Sequence, residues 1–190
     1  MRSYRINGEG QILLKNGTPF VVDRVEAGLV AVEHLSSHVE YFTLSRGQAI
    51  GVLISYSCHC WSSSHDEVAH AGLPRFIDGG ADRVFDAVRF DASIRLPELM
   101  RGLLGHRVYV TASDRNYGCY NASLVDSDGL AYTAFFTLKP GKGRFDGRRH
   151  KLVLRVESAY HRAQPEPGMR ASFAAAIDAA LQGRMLKYVR

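Results

Sequence analysis

Apolar and polar positions alternate in short runs along most of the chain, and two stretches switch to helical spacing. Residues 11–15 alternate weakly, Asn16-Gly17 is a hairpin turn signal, and Phe20-Val21-Val22 returns as a second strand. Further strands are expected at 29–35, at 39–44 and, after a turn at Arg46-Gly47, at 50–56, where IGVLISY is apolar on both faces. Residues 57–91, rich in His, Ser, Gly and Asp, read as a long excursion with at most a short helical turn. From 96 to 104 the pattern becomes helical. Pro97 sits in the first turn, Leu96, Leu99, Met100, Leu103 and Leu104 form one apolar stripe, and Gly105 ends it. Strands resume at 107–111 and 119–125, and the turn Asp126–Gly129 leads into the aromatic run LAYTAFFTL. Residues 139–150 (KPGKGRFDGRRH) read as an exposed loop. In 151–160, Leu152, Leu154, Val156, Ser158 and Tyr160 are expected on one face. Ser172 is placed to cap a last helix at 172–182, which Gly183 stops.

These elements predict an α+β fold: a curved, mostly antiparallel sheet, two helices at about 96–104 and 172–182, and a loop-rich insertion at 57–91. A single domain is expected over residues 1–190, β-rich over residues 1–56, with the His/Cys-rich excursion at 57–91 and an α+β region at 92–190. Composition adds exclusions. Apolar residues make up 46% of the 190, enough for a core. No apolar run approaches the roughly 18 residues of a membrane helix, and the N-terminus lacks the apolar segment of a secretory signal. Three cysteines are too few for a disulfide scaffold. A cytoplasmic protein is the expectation.

The net charge is +5. Between Lys139 and Arg170 lie nine basic residues and three acids, while the remainder of the chain is near neutral. A stretch that carries the whole excess is an electrostatic footprint for a polyanion.

Two constellations offer chemistry. Cys58-His59-Cys60 followed by His65 and His70 could supply Cys58, Cys60, His65 and His70 to a structural zinc, although one residue between the cysteines is fewer than the usual two to four. His34 and His38 do not follow the His-Glu-x-x-His order of zinc proteases. No Walker loop, dinucleotide fingerprint or G-x-S-x-G elbow occurs. The acids Asp78, Asp82, Asp86 and Asp91, interleaved with Arg83 and Arg89, read as an ion-paired surface.

The second constellation suits RNA cleavage through the substrate's own 2′-hydroxyl. That reaction needs a base, an acid and cations for the phosphorane charge, but no metal. Arg148, Arg149, Arg115, Lys142 and Arg144 would bind phosphate, His150 or His161 would exchange protons, and Tyr160 and Ser158 would orient the scissile group. Residues 130–162, an aromatic strand with Phe135-Phe136, a basic loop and then LVLRVESAYHR, resemble the C-terminal strands of bacterial toxin endoribonucleases of the barnase, EndoU, colicin and RelE-like group. The resemblance implies a small α+β nuclease with a four-stranded sheet, no cofactor and an antitoxin partner. The rival expectation is a non-catalytic module that binds nucleic acid or an acidic protein, held in shape by structural zinc.

Overall fold

A computed structural model of the chain describes residues 4–20, 31–45, 47–111 and 119–186. Among the described residues, twelve strands and three α-helices follow in the order β1 (Tyr4–Ile6), β2 (Ile12–Leu14), β3 (His38–Thr43), β4 (Ala49–Tyr56), β5 (Ser62–Ser64), β6 (Arg75–Asp78), β7 (Ala81–Phe85), α1 (Ala87–Ser93), α2 (Leu96–Arg101), β8 (Val108–Thr111), β9 (Tyr120–Val125), β10 (Ala131–Phe145), β11 (Arg148–Arg162), β12 (Gly168–Ala171) and α3 (Phe173–Leu181). The fold is α+β and its sheets are mostly antiparallel. The main sheet has seven strands in the order β12-β8-β9-β10-β11-β4-β3, against the four that the toxin resemblance implies. Its one parallel pair, β4 with β11, joins the N-terminal strands to the C-terminal ones. Among the described residues no helix is long and apolar enough to cross a membrane.

Burial explains the arrangement. Ile50, Val52 and Ile54 of β4 and Leu152, Leu154 and Val156 of β11 are fully buried, as the apolar run in β4 requires. The stripe Leu96, Leu99, Met100 and Leu103 is core, while Leu104 at its edge stays exposed. On α3, the Ser172 hydroxyl accepts a hydrogen bond from the Ala175 N–H, the expected cap. Phe173 then meets Phe42 edge-on, with ring centroids 4.9 Å apart. The helix starting at Leu96 ends at Arg101, short of Gly105, because the backbone leaves the helical conformation at Gly102, with φ of −81° and ψ of 2°. The stretch 33–35 is a 3-10 turn rather than the end of a strand. The strand expected at 20–22 and the start of that at 29–35 lie largely outside the described residues.

The excursion is folded. After a 3-10 turn at Cys58–Cys60 it forms a separate three-stranded sheet, β5-β7-β6, and runs into α1. Each of its strands is five residues or fewer, too short for periodicity to register. Gly79 and Gly80, with φ of 62° and 90°, make the tight turn between β6 and β7.

Two departures from the expected pattern shape β10 and β11. A β-bulge places Glu157 without an opposite partner, since Phe136 pairs with Val156 and Phe135 with Ser158. Everything after it changes face. Ser158 and Tyr160 therefore do not share the face of Leu152, Leu154 and Val156; Ala159, fully buried, continues toward the core. The second departure is the stretch 139–150, which is not a loop. β10 runs to Phe145, β11 starts at Arg148, and Asp146-Gly147 alone makes the turn, with φ of 49° and 72°. Both turn residues lie in the left-handed region, so this is the hairpin turn that Asp-Gly favours. Gly147→Ala is expected to cost about 1 kcal/mol, because an added Cβ meets nothing within 4 Å and only the backbone conformation is penalised. A thermal midpoint lowered by several degrees, with unchanged circular dichroism at low temperature, checks this.

Candidate functional site

From Gly143 to His150, β10 and β11 are each other's only ladder partners. The result is a two-stranded ribbon reaching past the sheet. Arg144, Arg148 and Arg149 are exposed on it and Lys139, Lys142 and Lys151 are exposed on the strand segments at its base, with Asp146 at the tip as the single acid of residues 139–151. Arg144 and Arg149 are cross-strand partners, an arrangement of like charges that costs stability by itself. The charge of the stretch 139–170 is thereby narrowed. Arg155 pairs with Glu157 at 3.1 Å and Arg162 with Glu166 at 2.8 Å, both outside the ribbon. Among the described residues, no ion pair engages any of the six cations of the ribbon and its base.

The ribbon is braced from the sheet edge. Tyr41 on β3 donates its hydroxyl to the Arg149 carbonyl at 3.1 Å, and the Arg148 guanidinium lies 4.9 Å from the Tyr41 ring centroid. Tyr41 was not among the expected site residues. It lies more than a hundred residues away in sequence, and only the parallel pairing of β4 with β11 brings β3 beside the ribbon. His150 sits at the base of the ribbon, 8% exposed and packed on Gly143.

The expected acid/base set is not assembled in one place. His150 and Tyr160 lie ten residues apart on one extended strand, roughly 33 Å at strand rise. Tyr160 and His161, being adjacent, point to opposite faces. Ser158 and Tyr160 do share a face. Tyr160 stacks on Phe135, its hydroxyl accepts from Arg162 at 3.3 Å, and the Arg89 guanidinium is 5.0 Å from its ring centroid. His161 meets Asp126 at 3.3 Å, and Asp126 also pairs with Arg95. Arg115 lies outside the described residues.

Arg95, through its hydrogen bond, holds the Asp126 carboxyl below its ordinary range, and His161 adds to the effect. A depressed folded value means that the stabilisation is complete above the unfolded carboxylate range and is lost as pH falls through the folded value. Asp126→Asn is therefore expected to lower the urea midpoint at neutral pH, with the difference from wild type closing in acid. An equal difference at both pH values would contradict this.

The Cys/His cluster is sorted differently from the zinc set Cys58, Cys60, His65 and His70. Cys60 is fully buried and its thiol is pushed up to about 12 by burial. The Nδ1 of His70 accepts from the Asp66 N–H at 2.8 Å, and His65 lies 3.8 Å from Glu67. Among the described residues, the one group of three potential metal ligands is Cys58, His59 and Asp78, with donor atoms within 4.8 Å of one another. The Cys58 thiol donates to Asp78 Oδ2 at 3.2 Å, and His59 Nε2 lies 3.9 Å from the same oxygen. Burial and then Asp78 hold the Cys58 thiol above its ordinary value; burial and then Arg83 hold His59 below its own. A protonated thiol is a poor nucleophile, so cysteine catalysis is disfavoured here.

This cluster rests on the bulge in β11. The Ser57 N–H donates to the Val156 carbonyl at 2.9 Å, and the Ser57 hydroxyl bonds the Glu157 carbonyl. Ser62 donates to the Cys58 carbonyl at 2.7 Å. Arg83, 5% exposed, donates to the Ser62 hydroxyl and carbonyl, and Arg89 donates to the His59 carbonyl at 3.1 Å. Of the ion-paired surface expected here, Asp82 pairs with Arg75 and Asp86 with Arg89. Arg83 and Asp78 instead face inward. Strand parity in segments this short could not reveal that; the Gly79-Gly80 turn directly after Asp78 was the available signal.

The model of the YjaZ family matches residues 20–181, and the chain belongs to that family. No curated protein and no solved structure matches it.

Proposed function

We propose that this member of the YjaZ family is a nucleic-acid-binding module that grips the phosphate backbone with the β10–β11 ribbon. The observation that carries this reading is the set of six exposed cations on a two-stranded arm and its base, none of them paired to an acid among the described residues. A two-stranded ribbon has the width of a nucleic-acid groove, and free Lys and Arg side chains supply the sequence-independent share of affinity. Tyr41, 41% exposed beside Arg148, offers an aromatic face at the base of the arm. Binding rather than cleavage is favoured because His150, Tyr160 and His161 do not converge.

The test is retardation of single-stranded RNA and duplex DNA by the full chain over a salt series, with EDTA present. Expected are complexes that weaken steeply with salt and nucleic acid recovered intact. RNA cut in EDTA to 2′,3′-cyclic phosphate ends would instead favour the catalytic reading, centred on Tyr160, Arg162 and Arg89. A chain that retards neither polymer at low salt would overturn both, leaving an acidic protein such as an antitoxin as the ribbon's partner.

A further inference from the structure

We propose that Cys58, His59 and Asp78 form a zinc site with three protein ligands and one exchangeable position. Sulfur, imidazole and carboxylate together suit zinc and not magnesium or calcium, which take oxygen donors. Tetrahedral zinc at ordinary bond lengths separates its sulfur and oxygen ligands, and its nitrogen and oxygen ligands, by roughly 3.4–3.6 Å. The observed separations are 3.2 Å from Cys58 Sγ to Asp78 Oδ2 and 3.9 Å from His59 Nε2 to the same oxygen. Small side-chain rotations bridge the difference.

The two ligand-bearing segments are held independently of any ion. The 3-10 turn is tied to β11 through Ser57 and to β5 through Ser62, while the turn at Gly79-Gly80 fixes the end of β6. Second-sphere groups are also in place. Arg89 holds the His59 carbonyl at 3.1 Å, and the buried Arg83 is tied to the Ser62 hydroxyl, which in turn holds the Cys58 carbonyl. Cys58 also lines a cavity of about 310 Å³ with Tyr4, Tyr56 and Trp61, and three protein ligands leave the fourth tetrahedral position to water or a small ligand. The site is separate from the ribbon, and its failure would leave the nucleic-acid reading untouched.

The competing assignment is that Asp78 serves only as the counter-charge of Arg83. Zinc titration of the full chain against a chromophoric chelator separates the two, with cobalt as a spectroscopic stand-in. The zinc site predicts one equivalent bound and a thiolate-to-cobalt charge-transfer band. It also predicts affinity lowered at least about tenfold by His59→Gln and by Asp78→Asn, with the band lost in Cys58→Ser. His65→Gln, His70→Gln and Cys60→Ala should retain both properties. His59 has a side chain 43% exposed, so His59→Gln folds and decides the matter even if Cys58→Ser does not. No stoichiometric zinc, or zinc held equally well by His59→Gln and Asp78→Asn, overturns the proposal.

Discussion

A chain carrying Lys142→Ala, Arg144→Ala, Arg149→Ala and Lys151→Ala together should lose retention of RNA and duplex DNA near physiological salt while unfolding at the same denaturant concentration as wild type or a higher one. The four side chains are exposed and pair with no acid among the described residues; the one native contact their removal takes away is the exposed hydrogen bond from Arg144 to the Gly147 carbonyl at 3.0 Å. Their removal also relieves the Arg144–Arg149 opposition across the ribbon. Each lost phosphate contact should lower the slope of log affinity against log salt by about one, and the effects should add because the contacts are sequence-independent. The comparison is a set of salt titrations with the quadruple variant beside one carrying Arg5→Ala, Arg75→Ala and Arg107→Ala, which removes charge elsewhere. An equal loss in both would mean that net charge, not the ribbon, governs binding.

Trp61→Ala should be the most damaging single substitution to stability. Trp61 is 2% exposed, stacks on Phe76 with centroids 5.1 Å apart, and meets Tyr4 edge-on at 6.0 Å. Its carbonyl accepts from the Asp86 N–H, so it also ties the 3-10 turn to the start of α1. Truncating a buried aromatic of this size costs about 3–5 kcal/mol, a large share of the roughly 5–15 kcal/mol that holds an ordinary domain. Urea unfolding reads the loss directly. Trp61→Phe, which keeps the stacking partner for Phe76, should recover more than half of it. A loss below about 1 kcal/mol would mean that the small sheet and β1 are not coupled to the 3-10 turn through this ring.

Sequence patterning was a good guide wherever an element was long and one-sided. The buried run in β4, the apolar stripe of α2 and the Ser172 cap all carry period or capping signals that tertiary contacts reinforce rather than oppose. It was a poor guide where a single residue changes parity. Glu157 is one unpaired residue, invisible to a period-two pattern, and it moves Ser158 and Tyr160 off the core face. The ribbon was hidden by composition. Pro140, Gly141 and Gly143 read as loop, yet Asp146-Gly147 between Arg144-Phe145 and Arg148-Arg149 is a hairpin signal, and the Gly and Pro residues sit where the ladder is irregular. The basic stretch itself was legible from charge alone. The grouping of Cys58 with His59 and Asp78, instead of with Cys60 and the distant histidines, was not. It depends on a twenty-residue return through β5, β6 and the Gly79-Gly80 turn that no spacing rule anticipates.

Placing the ribbon against nucleic acid is the central claim, and photo-crosslinking tests it most directly. Single-stranded RNA and duplex DNA bound to the full chain would be irradiated, the complex digested, and the adducts located by mass spectrometry. Adducts concentrated within residues 139–151 and at Tyr41 are the predicted result. Adducts confined to other surfaces, with residues 139–151 recovered unmodified, would contradict it.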